Sequence, residues 1–129
     1  MRFRLLKKDS GSKARYGEIE TPHGIVKTPV FMPVGTQATV KTLTPAQLKE
    51  LGVEAIICNA YHLSLRPGEQ VVKELGGIHH FMGWDRTIVT DSGGYQVFSL
   101  KNITKVSDDG VEFSSPFTGE RVFFSPERV

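Results

Sequence analysis

The sequence predicts an α/β protein: three short apolar strands joined by helices as βαβ units of a parallel sheet, with antiparallel strands on either side. Three observations carry this prediction. Residues 30–34, 55–58 and 87–90 are continuous apolar or β-branched runs, as expected for strands covered on both faces. Helix start and stop signals lie between them. Shorter runs separated by turn dipeptides occupy the first 28 positions and the stretch 101–124.

Residues 14–20 alternate enough for a strand, with Tyr16 and Ile19 apolar; Thr21-Pro22-His23-Gly24 is a turn, and residues 25–27 return. Arg2, Arg4, Lys7, Lys8, Lys13 and Arg15 crowd the first fifteen positions, and the plainest reading of them is a solvated strand. The first apolar strand, 29–35, is broken by Gly35. Thr44-Pro45-Ala46-Gln47 then opens a helix, with Thr44 as N-cap, Pro45 at the first helical position and Gln47 closing a capping box. Leu48 and Leu51 form its inward face and Gly52 ends it.

Residues 55–59 are the second apolar strand. A loop over 61–67 leads to a helix over 68–75, which Gly76-Gly77 stop. Residues 87–90 form the third strand. Residues 103–106, 111–113 and 122–124 read as an antiparallel insertion, with Asp109-Gly110 and Thr118-Gly119 at its turns. Ser125-Pro126-Glu127 has the N-cap and proline of another helix start, so the chain, ending at Val129, is expected to be an N-terminal fragment.

Composition narrows the class. A chain of 129 residues, 39% hydrophobic and 23% charged, has the size and balance of one globular domain. No apolar stretch is long enough for a membrane span or a signal peptide, which places the protein in the cytoplasm. A single cysteine, Cys58, forms no internal disulfide and no Cys-rich zinc site. His79 and His80 are adjacent, so on an extended segment they face opposite ways and do not make a metal pair. Asn102-Ile103-Thr104 is a glycosylation sequon with meaning only in a secreted protein. The net charge of +2 is compatible with an RNA partner without selecting one.

Residues 87–100 concentrate the chemistry. Asp91 follows a strand, Gly93 and Gly94 let backbone or ligand approach with their N–H groups available, and Ser92 and Gln96 add hydrogen-bonding groups. Tyr95 offers a π-face to a flat heterocycle. In barrels of βαβ units functional residues lie at the C-terminal ends of the strands, where Asp91, Asn59 and Val34-Gly35 all fall. The alternative is a purely structural strand end, with Asp91 or Ser92 capping the next turn and Tyr95 in the core.

Three stretches weigh on this choice: Thr28-Pro29-Val30-Phe31-Met32-Pro33-Val34-Gly35-Thr36, Asn59-Ala60-Tyr61-His62-Leu63-Ser64-Leu65-Arg66-Pro67-Gly68, and Phe81-Met82-Gly83-Trp84-Asp85-Arg86 running on into Asp91-Ser92-Gly93-Gly94-Tyr95-Gln96-Val97-Phe98-Ser99-Leu100. Together they closely resemble the bacterial-type tRNA-guanine transglycosylases, from about Tyr16 to the end. Ala60, where the family more often has Thr, is a small departure. The resemblance implies the N-terminal part of a (β/α)8 TIM barrel. Residues 1–28 would be N-terminal antiparallel strands, 29–100 the first three βα units, 101–124 the insertion and 125–129 the start of the next helix.

It also implies exchange of guanine at the tRNA wobble position for a 7-deazaguanine by double displacement, as in a retaining glycosidase. Asp91 would be the general base, and Asp91, Ser92, Gly93, Gly94 and Tyr95 the base-binding segment. The partners implied are tRNA, guanine or 7-aminomethyl-7-deazaguanine, and a second copy in a homodimer. The family's nucleophilic Asp and its structural zinc site belong further downstream, so this chain alone is expected to be inactive and to bind no cofactor. Two other readings are a non-catalytic base- or RNA-binding partner of the same family, and a barrel enzyme acting on a phosphorylated metabolite. The latter calls for a glycine-rich phosphate loop, and no G-x-G-x-x-G pattern occurs.

Overall fold

The computed structural model describes residues 1–99 and 103–128. It is a mixed α/β arrangement of three small sheets and short helices. The first sheet is antiparallel in the order β1 (Arg2–Lys8), β2 (Arg15–Thr21), β3 (Gly24–Thr28), with a register shift between Leu5 and Lys7. It meets the rest of the molecule through Val26, which is buried, through Thr21 Oγ1 at 2.9 Å from Thr87 Oγ1, and through the Lys27 N–H donating to Glu54 at 3.0 Å.

The parallel element is smaller than the sequence suggests. The strand expected over 29–35 is reduced to one parallel bridge between Val34 and Ile57. Gly35 N–H donates to Ile57 O at 2.7 Å and Ile57 N–H to Pro33 O at 3.0 Å. Pro29 and Pro33 have no N–H to give a ladder, so only this short stretch pairs. β4 (Ala55–Asn59) and β5 (Thr87–Asp91) then pair in parallel from Ala55↔Thr87 to Asn59↔Asp91. β4 lies between its two neighbours and is buried at four of its five residues, as its continuous apolar run predicts.

Helix α1 (Pro45–Glu50) starts where its capping box predicts, with Thr44 Oγ1 accepting from Gln47 N–H and Gln47 Oε1 accepting from Thr44 N–H. Leu48 is buried, but Leu51 is 69% exposed and does not face inward. The helix ends at Glu50, the chain turns at Gly52, and Val53 packs against the core where Leu51 was expected. The loop expected over 61–67 is mostly helix α2 (Ala60–Leu65), which begins directly at the end of β4 because the Asn59 side chain caps it. Six residues give too little periodicity to read from sequence.

Helix α3 (Glu69–Glu74) follows as expected, and α4 (Ile78–Met82), which the sequence did not suggest, comes after the Gly76-Gly77 break. His79 and His80 therefore lie on a helix, not an extended segment. His79 Nε2 is 3.1 Å from Arg86 O, His80 Nδ1 is 2.9 Å from Leu75 O, and the His79 ring stacks on His23 at 3.7 Å. Burial, and then the His23 ring beside it, hold the His79 imidazole below its usual range.

One core cluster is built from Ala38, Leu48, Ile56, Cys58, Leu63 and Trp84, whose indole N–H donates to Thr87 O at 3.2 Å. A second, Tyr61, Val97, Phe113 and Phe124, fastens the C-terminal sheet to α2 and to α5 (Gly94–Ser99). That sheet is antiparallel, β6 (Ile103–Ser107), β7 (Gly110–Ser114) and β8 (Arg121–Phe124), as expected of the insertion. The helix start expected at Ser125 is a turn, closed by Arg128 N–H to Ser125 O at 3.1 Å. Arg128 is occupied with Glu69 at 2.6 Å and with Phe123 O at 2.8 Å, contacts that hold the segment against α3. Leu100, Lys101, Asn102 of the sequon and Val129 lie outside the described residues. Among the described residues no helix is long and apolar enough to cross a membrane.

Candidate active site

Parallel register sets Asp91, the last residue of β5, directly opposite Asn59, the last residue of β4. The two side chains meet: Asn59 Nδ2 donates to Asp91 Oδ2 at 2.5 Å. The other carboxylate oxygen, Oδ1, accepts from Ala60 N–H and from Gly93 N–H, both at 3.1 Å. Three donors thus hold one carboxylate, and bonds of this kind to an ionised acceptor are among the stronger ones in a protein. Asn59 also accepts at Oδ1 from His62 N–H at 3.0 Å, so one buried amide both starts α2 and orients the acid.

The glycines act differently from the sequence reading. Their N–H groups are not free: that of Gly93 is on Asp91, and that of Gly94 points to Ser92 Oγ at 3.4 Å. Gly93 has φ +69°, and a Cβ there would lie 2.8 Å from Tyr61 Cβ and 2.9 Å from Tyr61 N. The close approach that demands glycine is to the start of α2, not to a ligand.

The turn after Asp91 is short. From Gly94 the chain is helical, and α5 presents Tyr95 at 77% exposure. Of the structural alternative, the capping of the next turn by Asp91 and Ser92 is present, and Tyr95 in the core is not. Phe98, one turn on, is exposed as well, whereas Val97 turns inward to the second core cluster. Ser92 is exposed beside the acid. Gln96 is half-buried, and its Oε1 has no partner among the described residues. The same holds for the buried hydroxyl of Tyr61, whose ionisation burial raises above its usual range. Neither role of Asn59 nor the packing of Tyr61 under Gly93 was read from the sequence; the strand register alone reveals them.

Cys58 lies next to Asn59 on β4 and is buried against Met82. Burial, with a smaller push from the Asp91 charge, raises its thiol to about 11 against the Ala38 backbone hydrogen bond. It is therefore a neutral core residue at ordinary pH, not a nucleophile. Among the described residues no three His, Cys, Asp or Glu side chains gather to hold a metal.

What this arrangement can do is hold a carboxylate in one orientation, as a proton acceptor, four residues ahead of an exposed ring on which a flat molecule can stack. Comparison with known proteins gives the family. A family model described as queuine tRNA-ribosyltransferase matches residues 9–129. A queuine tRNA-ribosyltransferase of Thermoanaerobacter pseudethanolicus is 60% identical over the whole chain, which covers 34% of that relative. One from Desulforudis audaxviator is 59% identical over 98% of the chain, and one from Latilactobacillus sakei 56% identical over all of it. The chain spans about a third of the length of these curated relatives.

Proposed function

The chain belongs to the queuine tRNA-ribosyltransferase family, and on that premise we propose that the Asp91 cradle is the base-handling half of a tRNA-guanine transglycosylase active site. The observation that carries the proposal is the carboxylate held by Asn59, Ala60 and Gly93, with Tyr95 exposed on the helix that follows. Asp91 is the general base: it takes the ring N–H proton of the incoming 7-deazaguanine, whose nitrogen then bonds to the ribose anomeric carbon. In that step the ester bond between the ribose and a second carboxylate breaks. The second carboxylate formed that ester earlier, by displacing guanine from the wobble nucleotide. It belongs to the part of the family's length that this chain does not span, as do the rest of the (β/α)8 barrel and the surfaces for dimerisation. Ser92, Gly93 and Gly94 shape the floor of the base site and Tyr95 stacks on the heterocycle.

Incorporation of labelled guanine into tRNA, by the natural polypeptide that contains this chain, tests the reading directly. Tyr95→Ala is expected to weaken base binding by ~1–3 kcal/mol through lost stacking, and Tyr95→Phe to be nearly neutral. Equal losses in the two variants would show that the hydroxyl, not the ring, does the binding. The division of labour between two carboxylates has its own test. The 129-residue chain, incubated with substrate tRNA, is expected to give no shifted band on a denaturing gel. A denaturation-resistant band would make some carboxylate of this chain the nucleophile.

A further inference from the structure

Two histidines from separate parts of the chain lie face to face. His23 sits in the turn between β2 and β3, where its main-chain N–H donates to Thr21 Oγ1 at 3.1 Å. His79 sits in α4. The two rings stack 3.7 Å apart at 14°. Along the chain, His23 falls between two polar contacts that join the first sheet to the strands behind it, Thr21 with Thr87 and Lys27 with Glu54. The stack adds α4 to that junction. His80, the next residue, takes no part: its Nδ1 lies 2.9 Å from Leu75 O.

Neutral imidazoles can stack as flat rings, whereas two imidazolium ions in the same place are like charges in contact. The charges around the pair do little to offset that repulsion. Glu54 and Arg86 line the cleft beside His23. The Glu54 carboxylate already accepts from Lys27 N–H, and the Arg86 guanidinium, which donates to Val53 O, is a further positive charge. Met1, with its amino group, lies beside His23 on the other side. Asp85 is held by Lys49 at 2.8 Å. Burial first, and then the His23 ring, keep the His79 imidazole below its usual range, against the pull of the Arg86 carbonyl.

We propose that the His23–His79 stack is an acid-sensitive latch, closed while the rings are neutral and opened when both are protonated, which then frees the β2–β3 turn from α4. The direction follows from which form the folded chain prefers. A base held below its free value is kept neutral by folding, so the contact is intact above about pH 6.5 and is lost as the pH falls through the lower value of the folded state. The latch lies apart from the Asp91 cradle and does not depend on the function assigned to it. Thr21 touches Thr87, the first residue of β5, whereas Asp91 is the last.

The test follows the natural polypeptide containing this chain from about pH 7.5 to about pH 5 by two measurements. Amide hydrogen exchange over β2 and β3, corrected for the intrinsic rate at each pH, reads the opening. NMR of the histidine rings reads the titration of His79. In the unaltered protein, protection of β2 and β3 is expected to fall by about tenfold across this range while that of β7 holds. His23→Phe keeps a flat ring against His79 without a second charge. Its protection is expected to change by less than about twofold, and His79 to titrate at a higher pH than in the unaltered protein. His80→Gln is the control and is expected to keep the full acid loss. Protection independent of pH in the unaltered protein would overturn the latch, as would the same acid loss in His23→Phe or its disappearance in His80→Gln. Should His23→Phe unseat the turn at every pH, the unaltered protein decides alone: opening that follows a different pH curve from the His79 titration overturns the proposal, and a shared curve supports it.

Discussion

Asp91→Asn, in the natural polypeptide, is expected to reduce guanine exchange by about 10²- to 10⁴-fold, because an amide cannot take the proton from the incoming base. The cradle sharpens this expectation. Asp91 accepts three hydrogen bonds on two oxygens, one of them from the Asn59 amide. An asparagine can keep the two main-chain donors on its single oxygen, but its own NH2 then faces the NH2 of Asn59. That mismatch adds a structural cost of about 1–3 kcal/mol. The two effects are separable. A thermal melt reads the second, and exchange assayed well below the melting temperature reads the first. Near-normal exchange by a folded Asp91→Asn protein would remove Asp91 from the chemistry.

Gly93→Ala is expected to be the most damaging single-methyl change in the site. Its backbone sits at φ +69°, and the new Cβ would come within 2.9 Å of the Tyr61 main chain. The left-handed conformation alone costs an alanine about 1–2 kcal/mol. Relieving the clash requires moving either the start of α2 or the Gly93 N–H that holds Asp91. Together these are expected to lower stability by about 2–4 kcal/mol and to slow exchange in the same variant. Gly94→Ala is the control, since a Cβ there meets only Ser92 Oγ at 3.4 Å, and Gly94 lies within α5. Chemical denaturation of the two variants decides the matter: equal midpoints would mean that the approach to Tyr61 is not a constraint.

Elements with a one-residue chemical signature were legible in the sequence. Thr44, Pro45 and Gln47 announced α1, and the apolar run at Ala55–Asn59 announced a covered strand. The three C-terminal strands followed from their turn dipeptides. What escaped was local geometry that depends on neighbours. α2 and α4 have six and five residues, below the length at which hydrophobic periodicity shows, and one is started by a strand-end asparagine. The 29–35 strand read as apolar, yet its prolines limit the pairing to Val34. Within the candidate site, Asp91 and Tyr95 stood out in the sequence by residue type. The donors that orient Asp91 were not, because they are fixed by which residue of β4 lies opposite which residue of β5. The same dependence explains why Gly93 and Gly94 were read as open donors when their N–H groups are already engaged.

Asn59 carries two duties on one short stem, capping α2 through its oxygen and steering Asp91 through its nitrogen. An aspartate could still cap the helix but would set a second negative charge against Asp91. A serine could cap too, but its shorter reach would leave the carboxylate to turn. A glutamine has both groups and the wrong length. Position 59 therefore ties the start of α2 to the orientation of the Asp91 carboxylate, and a replacement that keeps the cap still releases the acid.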